Sequence, residues 1–274
     1  MMNLNHALTL LARNPDAPLD LAELALTLAR DEYPDLDVEA YLSELAGMAR
    51  EARAYIGGNL EARVTGLCRF LFHEMGFHGN SQEYYDPRNS YLNDVLDRRT
   101  GIPITLSAVA IAVANRAGMD VAGVGLPGHF IAKANADGRE VLFDPFHGGR
   151  ILVPDQCEQL VLRVTGKDFV ASPEALRASD LASLVFRMFS NLKAVYFSDR
   201  DFGRATRVTQ RLLQLRPNDP VLLRDLGTAL LHGGQPGPAI DSLTAYLAAR
   251  PDASDVLLVQ ELLKQSKQMV ARWN

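Results

Sequence analysis

Residues 98–118, "RRTGIPITLSAVAIAVANRAG", decide how the rest of the chain is read. Over 103–117 the stretch predicts a helix that is apolar on almost every side, and such a helix belongs in a core. Pro103 suits its first position, because the missing N–H would have no partner there anyway. Gly118 supplies the stop. The residue before Pro103 is Ile102, which has no side-chain oxygen to offer the free backbone donors of the first turn. A buried helix that opens this way needs a partner from elsewhere, and Asn93 or Asp94 is the expected one.

Downstream of Gly118 the period changes from helical to two-fold. "DVAGVGLPGHFIAKANADGREVLFDPFHGGRILV", residues 120–153, alternates and carries Asp137-Gly138 between two runs, a strong hairpin signal. Strands are predicted near 121–125, 129–134, 140–144 and 150–153, as an antiparallel meander against the apolar helix. Upstream, residues 1–80 read as helical. "DLAELALTLARDEYP", "DVEAYLSELAGMAREARAYI" and "NLEARVTGLCRFLFHEMGF" each carry apolar residues at helical spacing, and Asn59 is a plausible N-cap. Asp86-Pro87 predicts a further helix through Asp97.

From residue 180 the chain repeats itself. Arg216-Pro217 and Arg250-Pro251 lie 34 positions apart, and at the same offset Leu192 matches Leu226, Gly203 matches Gly237, and Ala205 matches Ala239. That period is the tetratricopeptide one: two helices per unit, with small residues where they cross. The stretch "DVLLVQELLKQSKQMVARW" is expected to cap the stack. The fold class is therefore α+β. The domains expected are a helical N-terminal part of the core over 1–80, a helix-on-antiparallel-sheet core over 81–175, and all-α tetratricopeptide repeats over 176–274.

Composition narrows the function. The 274 residues are 47% hydrophobic and 22% charged, with a formal charge of −5 and no basic cluster, so neither disorder nor a nucleic-acid surface is expected. The longest nearly apolar run, 102–114, is too short to span a bilayer, and the first residues lack a basic leader; a cytoplasmic chain without membrane contact is expected. Cys68 and Cys157 read as buried small hydrophobes.

His73 and His78 nearly form a zinc helix, but five positions advance about 500° and leave the rings about 140° apart, so no metal is assigned to them. His129 and Asp144 are the stronger pair. If the hairpin centres on Ala136/Asp137 they lie opposite one another; if it centres on Asp137/Gly138 they are offset by two residues on one face. An imidazole oriented by a carboxylate is the base half of a nucleophilic triad, and equally a structural tie between strands. Asp86, Arg88, Asn89, Asn93, Asp94 and His147 are dense around the same motifs. They are read either as a ligand pocket or as a buried hydrogen-bond network. His129, His147 and Asp144 carry no diagnostic metal spacing, and no cofactor is expected.

"YYDPRNSYLNDVLDRRTGIPITLS", "LPGHF" and "FDPFHGG", followed by the repeats, resemble the bacterial SirB-type family, whose central region is a transglutaminase-like core. The resemblance covers roughly residues 30–270. It implies a catalytic Cys at the start of the buried helix, a His at His129 and an Asp at Asp144. The Cys position falls at or near Pro103, so the chain departs from the pattern there. Thr105 and Ser107 are the nearest hydroxyls, and in a first helical turn such groups usually bond local backbone. The expectation is a non-catalytic, regulatory or scaffolding protein that binds a protein or peptide in its repeat groove. The alternative is a hydrolase or acyl transferase in which His129 and Asp144 activate Thr105, Ser107 or water, with the pair aimed at the start of the helix 103–117.

Overall fold

The computed structural model describes residues 2–273. The chain divides into two compact units: residues up to Ala7 with Pro15–Val185, and Leu8–Asn14 with the chain from Phe186.

In the first unit, side-chain oxygens set the helix starts. Asp20 accepts from the Glu23 N–H and opens α2 (Leu21–Ala29); Asp37 does so for α3 (Val38–Ala52) and Asn59 for α4 (Leu60–Cys68). Before them runs α1 (Leu4–Arg13), divided between the two units after Ala7, which the sequence reading did not place. Beyond α4 the chain widens into a π-helical stretch, Arg69–Glu74, that Gly76 ends in the left-handed region at φ 76°. His73 lies in that stretch. His78 lies past it, in β1 (His78–Gly79), which pairs in parallel with β2 (Thr100–Gly101). The two histidines therefore share no helix.

The helix expected from Asp86 to Asp97 is broken. Asp86 caps a short 3₁₀ turn, Pro87–Asn89, and α5 begins only at Leu92 and ends at Arg98. The cause is Asn89. Its fully buried amide donates to the Glu83 and Tyr84 carbonyls, and Tyr91 is extended before α5 can start.

Helix α6 (Pro103–Arg116) is buried continuously from Pro103 to Ala114. The sheet beside it is the predicted meander: β3 (Asp120–Leu126), β4 (His129–Ala136), β5 (Arg139–Asp144) and β6 (Arg150–Leu152), antiparallel in that order. Ala136 pairs with Arg139, so the hairpin centres on Asp137/Gly138, the second of the two registers considered. Asp137 and Gly138 both have positive φ, as a two-residue turn of this kind requires. Strand β4 is buried at every residue from His129 to Ala134, so it is covered on both faces. Helix α6 packs on β3 and β4. On the other face Val124, Leu126, Ile131, Leu142 and Leu152 form one core cluster with Cys157, Leu160 and Val161 of α7 (Pro154–Thr165), a helix the sequence reading did not place.

The second unit holds the helices of the repeat. α8 (Leu181–Ser198), which enters this unit at Phe186, precedes α9 (Phe202–Leu215); α10 (Pro220–His232) and α11 (Pro236–Ala249) follow, and α12 (Val256–Trp273) comes last. The repeat-related Ala205 and Ala239 are both fully buried. Gly227 of α10 sits so close to Leu243 of α11 that a Cβ there would lie 2.6 Å from its Cγ. Small residues thus set the spacing of this helical array, as the 34-residue period requires. Ala239→Leu is expected to destabilise the chain by about 1–3 kcal/mol through overpacking, measured by urea denaturation. An unchanged midpoint would show that Ala239 is not at a close crossing.

Candidate functional site

One backbone donor at the start of α6 is met from within the helix. The Thr105 hydroxyl accepts the Ile102 N–H at 3.1 Å and lies 2.7 Å from the Asn89 carbonyl, to which it donates. Both groups are fully buried or nearly so. The expected partners, Asn93 and Asp94, do not serve here. Asp94 takes the Tyr33 phenol at 2.8 Å, and Asn93 Oδ1 is buried with no hydrogen bond. Thr105 takes the role because an oxygen three residues into the helix reaches back to the N-cap N–H, as in half of a capping box. Ser107 Oγ, two residues along, is also buried without a partner. Pro103 itself contributes only its ring.

His129 and Asp144 meet through their side chains. His129 Nε2 is 3.0 Å from Asp144 Oδ2, with both residues buried. The contact follows from register. Leu126 pairs with His129 and Val124 with Ile131, while Asp144 precedes the turn that brings in β6. By strand alternation His129, Ile131, Leu142 and Asp144 share one face, and Phe130 and Phe143 take the other. That shared face is the one packed against α7. The sequence reading aimed the pair at the start of helix 103–117; the turn Pro145–His147 that follows Asp144 packs on α6 and on β1, which pairs with β2 just ahead of that helix.

A third side chain completes the cluster. His147 Nδ1 lies 2.7 Å from the same Asp144 Oδ2, and its ring stacks near His129 at 5.6 Å between centroids. Asp144 Oδ1 is bound from the opposite side by the backbone N–H groups of Phe146 and His147, at 3.0 and 3.4 Å. The carboxylate therefore accepts four hydrogen bonds, which is all that it can. Burial pushes its pKa up, but the bonds from His129 and His147 outweigh that and hold it well below the usual carboxylate range. His147 is half exposed and marks where the cluster reaches solvent. Two cavities flank it. One of about 650 Å³ is lined by Cys68, Arg69, His73 and Arg150; a more polar one of about 200 Å³ is lined by Asp144, Arg150, Gln156, Gln159 and Arg163. The α7 residues Gln156, Gln159 and Arg163 carried no sequence signal for this place, since α7 was not read as part of the sheet's cover.

The remaining residues of the expected pocket lie elsewhere. Asp86 binds Arg88 at 2.8 Å and Arg98 at 3.3 Å; burial raises its pKa, and the Arg88 contacts outweigh this and lower it. Asn89 is held by Asn80, Glu83 and Tyr84. None of Asp86, Arg88, Asn89, Asn93 and Asp94 lines either cavity beside His147. They form separate tethers around α5 rather than one pocket with His129. The cysteines are buried as expected. Burial pushes the Cys68 thiol up to about 12; burial first, then the charges of Asp144 and Glu158, push Cys157 up to about 11.

Residues 39–190 match the transglutaminase-like superfamily, and residues 192–264 match the tetratricopeptide repeat. The chain belongs to the transglutaminase-like superfamily. Within it the chain is 37% identical to a UPF0162 protein of Xylella fastidiosa, over 91% of each chain, which accords with the SirB-type resemblance. A UPF0162 protein of Vibrio cholerae is 28% identical over 76% of this chain and 78% of its own. Human F-box only protein 21 is 27% identical over 80% of this chain and 30% of its own. A crystal structure of menin overlaps 99% of this chain and 69% of its own at a TM-score of 0.43 and 12% identity, too low to carry an argument. This transglutaminase-like chain has Pro103 at the start of its buried helix, with His129, Asp144 and His147 clustered on β4, β5 and the turn after β5.

Two substitutions test the geometry. Asp144→Ala strands two imidazoles and two backbone donors and is expected to cost about 3 kcal/mol of stability. Thr105→Val keeps shape but leaves the Ile102 N–H and Asn89 carbonyl unpaired, for about 2 kcal/mol. Chemical denaturation of both, with His147→Ala as the mild control, measures them; equal small losses in all three would contradict the network.

Proposed function

We propose that this transglutaminase-like chain works by binding and not by acyl transfer: a regulatory or scaffolding protein of the cytoplasm whose tetratricopeptide unit takes a protein or peptide. The observation that carries this reading is the state of the Thr105 hydroxyl, whose proton faces the Asn89 carbonyl at 2.7 Å and the Ile102 carbonyl at 3.1 Å and whose oxygen accepts the Ile102 N–H. A nucleophile needs its proton shared with a base, and this proton is committed elsewhere. Pro103 has nothing to offer. Both thiols are held protonated at neutral pH by burial, whereas a catalytic cysteine needs a lowered pKa. His129 and Asp144 then act as a structural remnant of the family's base.

Binding has its own support. Tetratricopeptide repeats typically mediate protein interactions, and Val221, Leu257 and Leu258 are large apolar side chains left exposed in this unit. The similar stretch of human F-box only protein 21 makes up about a third of that chain, so a unit of this kind is used as a part within a larger protein. No helix among the described residues is long and apolar enough to cross a membrane.

The test is a panel of amide and ester substrates together with thiol- and hydroxyl-directed probes, read by intact mass. The native chain is expected to release no product and take up no label at neutral pH. Both cysteines are expected to label once it is unfolded. Labelling of Thr105 or Ser107 that His129→Ala abolishes would establish a hydrolase or acyl transferase instead.

A further inference from the structure

We infer that His129, Asp144 and His147 form a binding site for one divalent transition-metal ion of the zinc or cobalt class. The three ligand atoms, His129 Nε2, Asp144 Oδ2 and His147 Nδ1, all lie within 4.8 Å of one another. Two of the separations are 3.0 and 2.7 Å. Ligands about 2.1 Å from one ion stand roughly 3.0–3.4 Å apart in octahedral or tetrahedral order, so each imidazole is within a few tenths of an ångström of that spacing from the carboxylate. Its donors are two imidazoles and a carboxylate, a set suited to zinc, cobalt, nickel or iron and poorly suited to magnesium or calcium.

The surroundings fit the assignment. Asp144 Oδ1 is fixed by two backbone N–H groups, which leaves Oδ2 facing both rings. His129 and Asp144 are rigidly seated on β4 and β5, while His147 on the 3₁₀ turn Pro145–His147 is half exposed. An ion reaches the site along His147 from the flanking cavities, and its remaining coordination positions face that side for water or a ligand. On binding, the two N–H···Oδ2 bonds give way to three metal–ligand bonds, and each imidazole carries its proton on its other nitrogen. The sequence hid this arrangement because 129, 144 and 147 have no diagnostic spacing; the hairpin register and the turn after β5 bring them together. The inference is independent of whether the chain is catalytic.

The experiment is a calorimetric titration of chelator-treated full-length chain with Zn²⁺ in a non-coordinating buffer, paralleled by Co²⁺ absorption. One equivalent is expected to bind at micromolar concentration or below, with visible d–d bands of low symmetry for cobalt and no binding of Mg²⁺. His147→Ala, at a half-exposed position that leaves the fold intact by circular dichroism, is expected to weaken binding by about tenfold or more. His73→Ala is expected to leave it unchanged. Absence of stoichiometric binding, or affinity that survives His147→Ala, overturns the site. A loss caused by His73→Ala instead moves the ion to the wider cavity and overturns it as well.

Discussion

The Thr105 hydroxyl is the constraint on which the rest of the first unit depends. Helix α6 is buried along nearly its whole length, so no water is at hand to satisfy its first turn. Proline at the first position removes one orphan donor, and the threonine oxygen meets the Ile102 N–H. The same hydroxyl donates to Asn89, which is itself bound to the 83–84 loop. One side chain thus fastens the central helix to the segment before α5. In doing so it spends the hydroxyl that stands closest to where the family pattern has a thiol.

A second polar centre is built around Asp144. Asp144 joins β5, the start of β4 and the turn 145–147 through four hydrogen bonds. Two chemistries are possible at such a carboxylate. With protons between it and the imidazoles, it is a cross-strand tie; with a metal ion in their place, it is a ligand set. Neither needs a nucleophile at Pro103. A helix start without a thiol is therefore compatible with a full set of partners around Asp144, and the His129–Asp144 geometry is not by itself a sign of acyl transfer.

Much of this was legible in the sequence, because the physical signals were local. The Pro103–Gly118 frame, the two-fold alternation around Asp137-Gly138 and the 34-residue offset of Arg216-Pro217 against Arg250-Pro251 each rest on short-range chemistry. The failures were non-local. The helix from Asp86 broke because Asn89 found carbonyls in a preceding loop. Asn93 and Asp94 lost the capping role to a residue inside the helix itself. Gln156, Gln159 and Arg163 came to line a cavity beside Asp144 only because α7 packs back on the sheet. His147 was named among the candidates, but only the turn after β5 brings it onto the same oxygen as His129.

The most direct measurement is the hydroxyl proton of Thr105 by NMR. A hydroxyl that donates to a buried carbonyl exchanges slowly with water and gives a resolved signal with nuclear Overhauser contacts to Asn89 and Ile102. That is the result this account predicts, for the native chain at neutral pH. A Thr105 hydroxyl in fast exchange, or one whose signal shifts when His129 titrates, would place the proton within reach of the imidazole and contradict it.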